Sequence, residues 1–142
     1  MNVKNTKKAD KRVDIGYLSS LGIQAYGHNN LYPQELRAII EDSASQLFIM
    51  RDNEHIMGML TLGHYTSPTG RKVWVEDVVV SAEYRGEGLG RKLINHAIEY
   101  CRENLSPCTL MLTSNPARVA ANELYRTSGF EPKQTNVYKM TF

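Results

Sequence analysis

The segment VWVEDVVV, residues 73–80, is apolar at every position but two, and those two are the adjacent acids Glu76 and Asp77. Acids within a buried strand are rarely left unpaired, so their placement asks for a partner or a chemical task. Just downstream, EYRGEGLGRKL (83–93) sets three glycines, Gly86, Gly88 and Gly90, within five residues, flanked by Arg85 and Arg91. A tight strand-to-helix turn with positive φ needs one or two glycines, not three with two arginines. The surplus points to an anion held by main-chain N–H groups and by the unpaired N–H groups opening the next helix. A pyrophosphate suits such a cradle, with the arginines adding charge beside it. The spacing G-x-G-x-G fits neither a P-loop nor a dinucleotide-binding fingerprint.

The surrounding elements must hold that turn. Residues 2–6 read as a short first strand, and residues 10–25 are loosely helical through Val13, Ile15, Leu18, Leu21 and Ile23. AYGHNNLYP (25–33) is a loop, after which Pro33 opens a helix to about Ala44 with Leu36, Ile39 and Ile40 on one face. QLFIM (46–50) and HIMGMLTLGHY (55–65) form a hairpin across RDNE, and SPTG (67–70) turns the chain into the apolar strand at 71–80. Because that strand is apolar nearly throughout, both of its faces are expected to be covered.

Past the glycines, Leu89, Leu93, Ile94, Ala97, Ile98 and Cys101 recur at helical spacing, with His96 expected to face solvent. CTLMLT (108–113) is another strand. Asn115 and Pro116 read as N-cap and first residue of a last helix, ended by Gly129 with Phe130 packing back. Tyr138, Met140 and Phe142 alternate as a terminal strand does. The order β-α-α-β-β-β-α-β-α-β implies an α/β fold. Its mixed, mostly antiparallel central sheet carries helices on both faces, with one parallel pair at the strand–helix–strand crossover.

At 142 residues the chain is expected to be a single domain, 1–142, large enough for a core without staples. Seventeen Lys and Arg against fifteen Asp and Glu give a formal charge of +2, which argues against a nucleic-acid or membrane surface. Two cysteines, Cys101 and Cys108, match no zinc spacing and suit reduced thiols, so no metal is expected. No apolar run approaches the ~20 residues of a membrane span, and a cytoplasmic location is the expectation.

YRGEGLGRKLI resembles the acyl-CoA pyrophosphate motif, Arg/Gln-x-x-Gly-x-Gly/Ala, of the GNAT superfamily of N-acetyltransferases, with Arg85, Gly88 and Gly90 in its defining positions. SNPARVAANELYRTSGFE (114–131) is similar to the superfamily's second cofactor element, an Asn after a strand followed by a helix ending Leu-Tyr-x-x-x-Gly-Phe. The likeness covers residues 73–131, the acyl-CoA-binding core. It leaves 1–72 as the acceptor side with the first strands, and 132–142 as the terminal strand.

The resemblance implies acetyl-CoA as co-substrate. Its diphosphate would lie on Arg85, Gly86, Glu87, Gly88, Leu89, Gly90 and Arg91, and its pantetheine arm along the backbone of Val78, Val79 and Val80. Asn115 would hold a pantetheine amide, as an alternative to capping the helix. The reaction implied is direct attack of a primary amine, on a small molecule or a peptide, upon the thioester. An amine of pKa near 10.4 spends about 4.6 kcal/mol in reaching its neutral form at pH 7, so a carboxylate base helps. Glu76 is the candidate, with Asp77 beside it. Successive strand residues face opposite ways, so at most one acid faces the cleft directly unless a bulge intervenes. Tyr125 matches the tyrosine that protonates or hydrogen-bonds the leaving thiolate. A backbone N–H near Val78 could steady the developing oxyanion.

Tyr26, His28 and Tyr32 lie in the loop that lines the acceptor side of such a fold, and His64 with Tyr65 ends the preceding strand; each reads as a surface or packing residue ahead of a substrate contact. Two other classes compete: a non-catalytic acyl-CoA-binding regulatory module, and a nucleotide-binding domain using the glycine turn for ATP. A homodimer is the default expectation for an enzyme of this size.

Overall fold

The computed structural model of the chain describes residues 2–5, 33–52 and 55–142. The helix expected at 10–25 and the loop with Tyr26, His28 and Tyr32 lie outside the described residues. Among those described, the order is β1 (Asn2–Asn5), α1 (Pro33–Glu41), β2 (Ser45–Asp52), β3 (His55–Ser67), β4 (Gly70–Val80), α2 (Leu89–Tyr100), β5 (Cys108–Met111) and α3 (Val119–Thr127). A 3-10 turn at Ala82–Tyr84 precedes α2, and a π-helical turn at Cys101–Leu105 follows it.

Five strands lie side by side in chain order, antiparallel throughout except for the parallel pair β4 and β5. The continuous apolar runs follow from this sheet being covered on both faces. Phe48 and Met50 of β2, with Leu60 and Leu62 of β3, enter a core beneath α2 with Leu89, Leu93, Ile94 and Ala97. Leu47, Ile49 and Met59 point the other way, into a smaller cluster that takes Ile39 and Ile40 of α1. Alternate side chains thus serve two cores, which is why neither strand shows polar alternation.

Two local expectations are corrected. His96 is half-buried, its ring edge-on to Phe48 with centroids 4.9 Å apart, and Tyr100 one turn later meets the same ring at 5.1 Å. The apolar stripe of α2 is wider than its aliphatic residues suggest, and it takes the imidazole in. The terminal strand also does not form: residues 131–142 run exposed and without regular structure. Alternation is only half of what a strand requires, since its backbone groups also need a neighbouring edge.

The helix end before that tail follows expectation. Phe130 N–H donates to the Tyr125 carbonyl and Gly129 N–H to that of Arg126, both at 3.1 Å, with Gly129 at φ 100°. This is a Schellman turn. The Phe130 ring closes it against Tyr125 at 6.2 Å.

Candidate active site

The site begins where β4 leaves its partners. On the β3 side the register steps from Thr61 opposite Glu76 to Met59 opposite Val79, so Asp77 and Val78 together face Leu60. Asp77 is the extra residue of this bulge, in the left-handed region at φ 52°, which Asp tolerates better than most residues. The bulge reverses the parity of the strand. Val73 and Val75 point into the α2 core before it, Val78 and Val80 lean toward that core after it, and Val79 joins the α1 cluster.

On the β5 side, pairing runs from Arg71 with Cys108 to Trp74 with Met111 and goes no further. The two parallel strands part at this point. Beyond this point Val78, Val79 and Val80 of β4 line a cleft of about 520 Å³, bounded by the glycine turn and by α3.

Gly86 and Gly88 take φ of 85° and 74°, and a Cβ at either would meet nothing within 4 Å. Backbone conformation, not crowding, requires glycine there. Gly90 serves packing instead: its Cβ would stand 3.4 Å from Leu124 Cδ2, where α2 passes α3. The first main-chain bond of α2 joins Lys92 N–H to the Gly88 carbonyl at 3.2 Å. No side chain caps this N-terminus and no acid sits in its first turn. Preceding N–H groups and the positive dipole end are therefore directed outward, as an anion site requires.

The cleft brings together most of the residues assigned from sequence. Val78, Val79, Val80, Arg85, Gly86, Gly88, Leu89, Gly90, Arg91 and Tyr125 all line it. Tyr125 is buried, its ring wedged against Phe130. Two assigned arginines have internal partners. Arg85 Nε donates to the Val80 carbonyl at 3.3 Å, and Arg91 donates to Thr127 Oγ1 at 2.7 Å.

Glu87, Asn115 and Glu76 are not among the lining residues. Asn115 does not cap α3, which starts at Val119 behind Arg118 without a side-chain cap. Its Oδ1 instead accepts from Ala117 N–H at 2.9 Å, closing a local turn, while its carbonyl accepts from Arg118 N–H and Asn122 Nδ2. Glu76 lies on the face of β4 opposite Val75, just before the bulge. Partial burial raises its pKa above the ordinary 4.5, and the charge of Asp77 raises it further. A raised carboxylate is the better proton acceptor near neutral pH.

Sequence reasoning missed Tyr84, Arg118, Ala120, Ala121 and Leu124, all of which line the cleft. Arg118 adds a third guanidinium from the α3 side, and its place inside the similar segment 114–131 was the available signal. Among the described residues no three His, Cys, Asp or Glu side chains gather as a metal site, and no helix is long and apolar enough to cross a membrane.

The profile of the acetyltransferase (GNAT) family matches residues 17–130. The chain belongs to this family. A parallel pair of strands beside a glycine turn that opens a helix is the arrangement that the sequence led one to expect. Among solved structures, a putative acetyltransferase from Agrobacterium tumefaciens shares the fold with a TM-score of 0.83 at 19% identity, over 99% of this chain and all of its own. Curated relatives match over shorter stretches. Thialysine N-epsilon-acetyltransferase of Sus scrofa is 46% identical over 35 residues, 25% of this chain and 21% of its own. An uncharacterized N-acetyltransferase of Bacillus subtilis is 27% identical over 73 residues, 51% of each chain. The match thus spans about a fifth and about a half of these two relatives' lengths.

Proposed function

We propose that this GNAT acetyltransferase moves an acetyl group from acetyl-CoA to a primary amine of a small molecule or peptide, by direct attack within a ternary complex. The reading rests on one juxtaposition: the free β4 edge, the outward N–H groups at Gly86–Arg91 and the Tyr125 side chain share a single cleft. Acetyl-CoA supplies the activated acyl group as a thioester. The residues present fit it. Two positive-φ glycines and an uncapped helix start suit its diphosphate, with Arg85, Arg91 and Arg118 supplying positive charge. The edge of Val78–Val80 suits the amides of an extended arm, as it would suit another strand.

Tyr125 is the proton donor or hydrogen-bond donor to the departing thiolate. A strong hydrogen bond from the phenol to the thiolate serves here as well as complete transfer of the proton. Glu76 lies outside the cleft lining, so it takes the amine's proton from the side of the strand where it stands, directly or through water. Asn115, its Oδ1 engaged in its own turn, would reach the arm only by giving up the Ala117 bond. The thialysine relative's name, an amine at the end of a flexible side chain, favours a small primary amine as acceptor.

The test is a panel of amines with acetyl-CoA and thiol-release detection, beside thermal shifts with CoA, acetyl-CoA and ATP. A ligand at 100 times its Kd adds about 2.7 kcal/mol of stability. Stabilisation by ATP but not by CoA would reject the reading. So would CoA binding without turnover of any amine.

A further inference from the structure

Gly58 lies in β3 opposite Val80, and its backbone is not left-handed. A glycine inside a strand weakens it, so this one needs a reason in its surroundings. A Cβ there would stand 2.7 Å from the Val79 carbonyl oxygen, 3.1 Å from Leu93 Cδ1 and 3.6 Å from Val80 Cα. The Leu93 side chain can turn away. A carbonyl oxygen moves only with its strand.

The strand segment concerned is a wall of the cleft. Val78, Val79 and Val80 follow the bulge at Asp77, and β4 has by then lost β5, whose pairing ends at Trp74 with Met111. Among the described strands, β3 is the one left to set how far this backbone stands into the cleft. Met59 pairs with Val79 and Gly58 with Val80, and the N–H of buried Ser81 donates to the Met57 carbonyl at 2.8 Å. Peptide groups of successive strand residues face opposite edges, so a Val79 carbonyl turned toward β3 leaves Val78 and Val80 presenting theirs to the cleft.

We infer that Gly58 is a positioning residue for the acyl-CoA arm: by carrying no side chain, it lets β3 hold the Val79 and Val80 backbone back at the depth that an extended arm needs. The inference rests on the acyl-CoA reading above. A methyl group at this position drives the Val79 oxygen away from β3, and the cleft wall moves toward the arm that has to pair with it. The glycine turn at Gly86–Gly90 is untouched, so the diphosphate keeps its own site.

The test is binding of acetyl-CoA to the native chain and to Gly58→Ala, with ADP as competitor, because ADP carries a diphosphate without the arm. The expected result is an acetyl-CoA Kd raised about tenfold, the equivalent of one or two main-chain hydrogen bonds, while displacement by ADP gives an unchanged Kd. A role in stability alone would weaken both ligands equally or neither, and either outcome overturns the inference. Combining Gly58→Ala with Leu93→Val removes the side-chain contact and leaves the contact with the Val79 oxygen. This double variant should stay weak toward acetyl-CoA, and it supplies the measurement if Gly58→Ala alone does not fold. Recovery of acetyl-CoA affinity in the double variant, or failure of both forms to fold, overturns the inference. A native chain that does not bind acetyl-CoA, or from which ADP cannot displace it, instead rejects the functional reading beneath it.

Discussion

The Arg91 guanidinium, in the first turn of α2, donates to the Thr127 hydroxyl in the last turn of α3 at 2.7 Å, with Ser128 Oγ at 3.5 Å. An arginine assigned from sequence to an anion therefore also ties together the two helices that bound the cleft. The pair is exposed, so its strength is modest. A double-mutant cycle of Arg91→Ala and Thr127→Val, read by urea unfolding, should give a coupling of about 0.5–1 kcal/mol. Additive effects would mean that the contact contributes nothing. In acyl-CoA titrations Arg91→Ala should weaken binding more than Thr127→Val, since only the first removes a charge from the cleft.

Asp77 carries the backbone strain of the β4 bulge. A non-glycine residue held left-handed costs roughly 1–2 kcal/mol, less for Asp than for bulkier side chains. Asp77→Gly should therefore leave stability unchanged or raise it, and Asp77→Val should lower it by at least about 1 kcal/mol, both read from urea midpoints. Equal effects of the two substitutions would show that the bulge does not depend on this residue.

The same aspartate bears on the proton acceptor. Glu76 is raised first by burial and second by the charge of Asp77. A base works only when ionised, so activity should climb as pH rises through the raised Glu76 value. Asp77→Asn removes one of the two causes and should move this acid limb to lower pH, while Glu76→Gln should abolish the limb along with most turnover. A profile unmoved by Asp77→Asn would separate Glu76 from the rate. Stability runs with the opposite sign: protonated Glu76 favours the folded state, a contribution present below 4.5 and lost as pH rises through the raised value.

The glycines of the turn should separate by substitution. Gly88→Ala places a side chain at φ 74° and should cost roughly 1–2 kcal/mol, with a clear loss of acyl-CoA affinity from the disturbed N–H groups. Gly90→Ala sits inside the helix, where Ala is favoured by about 0.5–1 kcal/mol, offset by its 3.4 Å approach to Leu124. It should be near neutral in both stability and affinity. A Gly90→Ala variant as damaging as Gly88→Ala would mean that the space at Gly90 belongs to the ligand rather than to Leu124.

How far the sequence could be read depended on how local each cause was. The Schellman turn at Gly129 and Phe130 needs only residues within one helix turn, and it formed as expected. The apolar run of β4 likewise announced a strand covered on both faces. Asn115 before Pro116 read as a helix cap, but α3 starts later, at Val119, and Asn115 closes a local turn with Ala117 instead. The tail from 132 had a strand's pattern, but pattern names no partner. Arg118, a single arginine in a turn, gained meaning only once β4 and β5 had parted to make the cleft that it lines.

His96 gives the sharpest pH test of the core. Burial against Phe48 lowers its pKa below the ordinary 6.5, and the charge of Glu103 opposes this in part. A histidine whose folded value is depressed contributes stability that is present above 6.5 and is lost as pH falls through the folded value. The urea midpoint of the native chain should therefore fall between about pH 7.5 and pH 5 more than that of His96→Gln, which stays neutral throughout. Glu103→Gln should deepen the loss, because it removes the charge that favours the imidazolium. If the native chain and His96→Gln lose stability in parallel over that range, the ring is free to charge where it stands, and its edge-on contact with Phe48 does not hold it neutral.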